Sequence, residues 1–484
     1  MDEGNTEEVT VARAPELPDG SSERAQPRAA LIAIAVLVIA GTVAMATRTG
    51  SGPSRAAAPA VQARPDVIII AIDGLGVAEV SGAGTPFLQG FGAGSVSYRD
   101  AYAPSPWASE ALSGLLTGQH RPVSRGTEGW TPGLADELLR RGYRTALVPG
   151  HRRHAFEGAG LRPGPAAFEE VLLPAGLDDP AGAQGSSVAQ AALGWLAESA
   201  RPGLLVVTLA DPRAPHHLYR GGEGGPGPGY EGPIEPGMAH DDLLRIGPDL
   251  DDTDRAQLAA LHATEVAAAD AFARQLVEGA RQHRDLAPVI AIAGLRQPAL
   301  GERGRYGLVP SMEPEDLRVP LWLEVPAASG GGRAPGEERV PGEGGGRRTL
   351  RGVVGAPVSL LDLGPTLLCA LGLEPRLDLD GASVFPGSAI PERPLRAATS
   401  RGICAVVGLD GDRAVILEAE PPAALVRSRR AGVDPRRGLR WGPCDEVTGV
   451  DADLRLQLAR WMRGARIELP GGGVPDLEAA PFTP

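Results

Sequence analysis

Asp73 stands where α/β proteins commonly do chemistry. It follows the apolar run DVIIIAI, Asp66–Ile72, and precedes Gly74. A continuous β-branched run predicts a strand buried on both faces of a parallel sheet. Ligands of open α/β sheets gather at the carboxyl ends of such strands. An aspartate there can ligate a hard cation or cap the following turn, and both readings stand. Other groups with chemical potential are Ser109 and Glu110 in SPWASE, Arg213 in DPRAP, Arg296 in GLRQ, the cluster His151-Arg152-Arg153-His154, and the pair His216-His217. The HRRH cluster reads as a solvated basic loop, or as an anion site built with Arg152 and Arg153. Adjacent histidines face opposite ways on an extended segment, so His216 and His217 read as a surface pair. Glu79 reads as a solvated loop residue, and Glu110 as an ordinary acid in a first helical turn.

These residues need elements to hold them. Ser105-Pro106 predicts a helix start with Ser105 as N-cap, running through WASEALSGLLT to Gly118. Leu134–Arg141 and Thr253–Arg281 predict further helices, and Tyr143–Val148, Leu204–Leu209, Pro288–Ala293 and Val319–Val325 predict strands. Strands alternating with helices argue for a doubly wound α/β sheet. Gly221–Gly237 and Ala327–Arg348 are rich in Gly, Pro and Glu and read as disordered surface loops. After Pro386 the pattern changes to short β-like runs, CAVVGL and RAVILE, followed by a helix at Asp451–Arg463.

The chain has 484 residues, 43% hydrophobic but only 4% aromatic, so its core rests on aliphatic side chains. All 47 basic residues are Arg, a bias of the kind a GC-rich coding sequence produces. The formal net charge of -13 excludes a basic nucleic-acid surface. Three cysteines are too few for a disulfide framework. Cys369 reads as a buried core residue, and Cys404 and Cys444 can pair if the domain lies outside the cytoplasm.

Residues 29–46, AALIAIAVLVIAGTVAMA, carry no charge and lie between Arg28 and Arg48. At roughly 1.5 Å per helical residue the run just spans a bilayer core. We read it as an uncleaved signal anchor. The Ala44-Met45-Ala46 pattern keeps a cleaved signal peptide as the alternative. Either way the following domain is exported, to the periplasmic or extracellular side. Arg13, Arg24 and Arg28 balance Arg48, Arg55 and Arg64, so the charge rule does not set orientation. The expected organisation is a tail at 1–28, the membrane helix at 29–46, a linker at 47–64, an α/β domain at 65–385, a C-terminal subdomain at 386–466 and a flexible tail at 467–484.

Several segments in order resemble the sulfatase family of the alkaline-phosphatase-like superfamily. They are PDVIIIAIDGLG, TPFLQGF, SVSYRDAYAPSPW, LLTGQ and LADELLRRGYRTALV, then LADPRAP, DLRVPLWLEVP and PVSLLDLGPTLLCALGL with DLDGASVFP. The resemblance implies a mixed sheet between helices with a small C-terminal α+β subdomain. It also implies hydrolysis of sulfate or phosphate esters with a divalent cation, usually calcium, and a nucleophile at a helix N-terminus.

Carried over residue by residue, the resemblance makes Asp73 the first metal carboxylate. The next metal position is Gly74. The nucleophile position is Ala108, whose methyl cannot attack. The family's Asp-Pro-His is Asp211-Pro212-Arg213. Its later Asp and His fall on Leu295 and Arg296, and its Lys and nearby His on Val309 and Leu308. Ser109, one residue on, is the candidate substitute nucleophile, but a turn of roughly 100° from Ala108 is expected to face it away from the site, as a solvent-facing or capping hydroxyl. One carboxylate holds calcium poorly, so the expectation is a pseudoenzyme with no metal cofactor. Arg213 and Arg296 would point into the old cleft and bind an anion by forked hydrogen bonds. The alternatives are an active sulfatase or phosphoesterase with a non-standard site, which would use calcium, and a structural partner of an envelope protein.

Overall fold

The computed structural model describes residues 64–120, 132–155, 168–179, 182–214, 216, 229–307, 312–326, 349–374 and 379–398, with strands and a helix within 404–464 and a strand at 482–483. The expected membrane helix at 29–46, the loop at 327–348, His217, Leu308, Val309 and Cys444 lie outside these residues, and with Cys444 the question of its pairing with Cys404. No helix among the described residues is long and apolar enough to cross a membrane.

The central strands are β1 (Val67–Asp73), β2 (Val96–Tyr102), β3 (Arg144–Val148), β4 (Glu170–Val171), β5 (Gly203–Leu209) and β6 (Val289–Arg296). They continue with β7 (Ala299–Leu300), β8 (Tyr306–Gly307), β9 (Arg318–Glu324), β10 (Gly352–Val354) and β11 (Val358–Ser359). Nine of them form one mixed sheet in the order β10-β2-β9-β6-β1-β5-β3-β4, with β11 also pairing β2. β9 runs antiparallel to both β2 and β6, and the other pairs are parallel. The four expected strands appear as β3, β5, β6 and β9. β2 was not anticipated, because VSYRDAY mixes charge into its apolar positions.

β1 lies at the centre, and its period of two divides the core. Val67, Ile69 and Ala71 pack on one face with the helices Ala108–Thr117, Leu134–Leu139 and Leu363–Ala370. Ile68, Ile70 and Ile72 pack on the other with Pro86–Gly94, Gly185–Ala197 and Asp252–His283. Both faces are therefore covered by helices, which is why the run is apolar at every position.

Two local expectations are corrected. The helix begins at Ala108 rather than at Ser105, with Trp107 as its N-cap residue. Ser105 Oγ accepts from the Trp107 N–H at 3.2 Å and donates to Glu110 Oε2 at 2.7 Å, so it builds the turn before the helix and holds the acid. Cys369 is exposed. In its helix Leu363, Leu367 and Leu368 take the buried stripe, and position 369 falls about 100° beyond it. The stop at Gly118 is as expected: its φ of 65° suits glycine, and its N–H reaches the Gly114 carbonyl at 2.8 Å.

A second, antiparallel sheet follows: β12 (Leu395–Ala398), β13 (Cys404–Asp410), β14 (Arg413–Glu420), β15 (Ala423–Asp434) and β16 (Gly438–Pro443). A short β17 (Phe482–Thr483) adds in parallel to β15, and the helix Gly449–Gly464 packs on β13 and β14.

Candidate functional site

The carboxyl ends of β1, β5, β3 and β6 converge, and the loops leaving them carry the site. On β1 and β6 the register shifts between Ile72 and Asp73. Ile72 pairs with Gly294, but Asp73 pairs with Arg296, so Leu295 is the extra residue of a bulge. Leu295 goes into the apolar core, and Arg296 is set directly beside Asp73.

Asp73 is 1% exposed and is held from three directions. Arg296 Nε donates to Oδ1 at 2.7 Å. His154 Nε2 donates to Oδ2 at 3.2 Å, and Arg213 Nε stands 3.6 Å from the same oxygen. Burial alone would raise the Asp73 carboxyl, but Arg296, then His154, then Arg213 outweigh it and hold the carboxyl far below the usual range. His154 is oriented from behind. Its Nδ1 lies 2.9 Å from Thr208 Oγ1, which accepts the Gly150 N–H at 2.7 Å. In the neutral ring Nδ1 therefore accepts the Thr208 hydroxyl while Nε2–H faces Asp73. Nearby His151 is pushed down to about 3 by burial and by Arg213, so it carries no charge at neutral pH.

Gly74 has its own geometric reason. Its φ is +93°, and a Cβ there would meet the Pro212 carbonyl oxygen at 2.5 Å. Any side chain at 74, a second metal aspartate included, is excluded by the close passage of the 211–213 loop.

The cleft in front of Asp73 is lined by Trp107, Ala108, Ser109, Arg153, His154, Arg213 and Arg296 and holds about 20 Å³. That is room for little more than one water. The expected site residues Asp73, Ala108, Ser109, Arg213 and Arg296 are thus brought together. Ser109 corrects one expectation: it is buried and lines the cleft with Ala108. At the first turn of a helix, neighbouring side chains ring the open end. The helix presents its N-terminal N–H groups there, and the first backbone bond closes from Ala111 to Trp107.

Three further expectations are corrected. His154 is 1% exposed and its cluster is no solvated loop; Arg153 lines the cleft, while Arg152 turns outward to Asp178 at 2.8 Å. His216 is buried and its Nδ1 meets Glu265 Oε2 at 2.5 Å. Glu79 lies in the short helix Val77–Val80 with its side chain only 13% exposed, and burial, reinforced by Glu302, pushes it up to about 7. His154 was findable, since HRRH directly follows the predicted strand ending at Val148 and so belongs at the same sheet edge. His262 and Glu265 carried no such signal. They sit mid-helix in an Ala-rich run.

The donor set at Asp73 does not suit calcium. A hard cation takes six or more oxygens, whereas one carboxylate faces three guanidinium groups here. The positive charge opposite Asp73 comes from the chain itself.

No protein-family model matches the chain, and no curated protein sequence does. Solved structures do match. BT4656, solved in complex with its substrate D-glucosamine-2-N,6-O-disulfate, superposes with a TM-score of 0.61 at 14% identity over 84% of this chain and 99% of that one. The phosphonate monoester hydrolase of Agrobacterium radiobacter gives 0.56 at 18% identity, over 83% and 95%. BT1596, a 2-O GAG sulfatase, gives 0.52 at 14% identity, over 84% and 93%. The chain has the alkaline-phosphatase-superfamily fold, in the form that sulfatases and phosphonate monoester hydrolases share.

Proposed function

We propose that this protein is a sulfatase-like pseudoenzyme that binds an anion at the old catalytic cleft without hydrolysing it. The observation that carries the reading is the 2.7 Å bond from Arg296 to Asp73. A guanidinium stands where ester hydrolysis in this fold needs a Lewis-acid cation, and Ala108 stands where it needs a nucleophile. Three arginines against one carboxylate leave the cleft positive, and the N-terminus of the Ala108–Thr117 helix adds to that field. In a cleft of about 20 Å³ a single oxyanion group enters, such as one face of a sulfate, phosphate or carboxylate. Arg213 lines that cleft and brings a guanidinium to it beside Asp73, so it is placed to receive the anion.

In this reading residues 29–46 tether the domain to the outer face of a membrane, supported by their uncharged length. The ligand is an anionic molecule or an acidic group of an envelope protein. Calorimetric titration of the full-length chain with sulfate, phosphate and an aryl sulfate tests it. We expect saturable 1:1 binding, weakened at least about tenfold by Arg213→Ala, as for loss of one charge-assisted hydrogen bond. No saturable binding of any of the three would overturn the proposal.

A further inference from the structure

Behind the cleft, on the far side of Pro212, lies a second polar cluster that the hydrolase-like site does not use. His216 leaves the loop after β5, and His262 and Glu265 stand one turn apart on the Asp252–His283 helix. All three are 4% exposed or less. One ligating atom from each lies within 4.8 Å of the others. Glu79 completes the ring, its Oε1 3.8 Å from His262 Nε2. Buried polar atoms are normally paired. Here His262 Nδ1 and Nε2 and Glu79 Oε2 are buried with no hydrogen-bond partner.

We infer that His216, His262, Glu265 and Glu79 form a buried site for one zinc-class divalent transition metal. Two imidazoles and two carboxylates are a nitrogen and oxygen donor set suited to zinc. The two carboxylates balance a divalent charge, so the filled site is electrically neutral in a dry environment. Around zinc, tetrahedral ligand atoms lie roughly 3.3 Å apart, and the candidate atoms of His216, His262 and Glu265 all lie within 4.8 Å of one another, so no pair of them must draw in by more than roughly 1.5 Å. The spacing His262 to Glu265 is i, i+3, which puts both on one helix face. The metal would join three separate segments: the short helix Val77–Val80 after β1, the loop after β5 and the helix Asp252–His283. Pro212 links the two sites, because its carbonyl approaches His262 while its neighbour Arg213 reaches Asp73. The filled site would brace the loop that aims Arg213. The inference stands independently of the anion-binding reading.

The test uses the full-length chain, stripped with a chelator and reloaded with zinc or cobalt(II). We expect one metal per chain by elemental analysis, and for cobalt the intense visible absorption of four-coordinate geometry. His262→Ala and Glu265→Gln should each weaken binding at least about 100-fold, while Arg213→Ala retains the metal. A stripped, folded wild-type chain that takes up neither ion, or a cobalt spectrum of six-coordinate weak type, overturns the proposal. Undiminished uptake by folded His262→Ala does the same. If the variants do not fold, the wild-type cobalt spectrum decides alone.

Discussion

Arg296 and Asp73 form a buried pair in which each side chain is the other's solvent. Desolvating either charge costs several kcal/mol, and the pair is stable because the geometry is close and His154 and Arg213 share the carboxylate. Removing one partner is therefore far worse than removing both. Arg296→Ala is expected to destabilise the fold by about 3–5 kcal/mol in urea unfolding. Asp73→Leu combined with Arg296→Leu should recover part of that loss, the rest being the cost of leaving buried Arg213 without its carboxylate, and the double-mutant cycle should show a coupling between the two sites. Additive losses would mean the pair is not the unit described. Asp211 poses the opposite case. Its Oδ1 accepts the Gly185 N–H at 3.0 Å, while Oδ2 is buried without a partner. Burial pushes it up to about 7 from an ordinary 3.8. A carboxyl raised on folding contributes stability that is fully present below pH about 3.8 and lost as pH rises through about 7. Asp211→Asn should flatten that decline, and above pH 7 it should be more stable than wild type by a few kcal/mol, at about 1.4 kcal/mol per pKa unit. An unchanged pH profile would count against it. Asp73 acts in the acid range with opposite sign: its stabilisation is present above about 3.8 and lost below.

At the scale of elements, the cleft is made by close passage of backbone. Gly74 lets the 211–213 loop cross the end of β1, and the β6 bulge delivers Arg296. Gly74→Ala meets both a positive φ and the Pro212 carbonyl, so it should cost more than about 2 kcal/mol, with loss of anion affinity because Arg213 is displaced. A neutral effect in thermal unfolding would contradict the close passage. What was legible in the sequence follows the same division. The run at 66–72 shows its doubly buried strand because every position is apolar, and it thereby locates Asp73. The residues at 108, 213 and 296 could be placed together because the resemblance to the sulfatase family carries each onto a position of one site. His154, His216 and Glu79 were misread as solvated, since a short polar stretch does not show that its loop folds back over a strand end. Ser109 was misread because helical rotation predicts facing within a helix but not around its open first turn. The bulge at Leu295 has no sequence signature at all.

At the scale of the molecule, a nine-stranded sheet with flanking helices and a second antiparallel sheet give the alkaline-phosphatase-superfamily fold, and the proposed function places an anion-binding cleft at the carboxyl edge of its main sheet. The packed faces of β1 and its carboxyl end are separable: the aliphatic positions pack on both faces without a metal, and the charge of Asp73 is balanced by Arg296 and Arg213. That separation is what would let a hydrolase fold persist as a binding protein. The most direct measurement is turnover of an aryl sulfate and an aryl phosphate by the full-length chain, with calcium added and with a chelator present. The account predicts no hydrolysis above the rate of an Asp73→Asn control in either condition. Calcium-dependent turnover that Asp73→Asn abolishes would contradict it, and would show that Arg296 yields its place to a cation during the reaction.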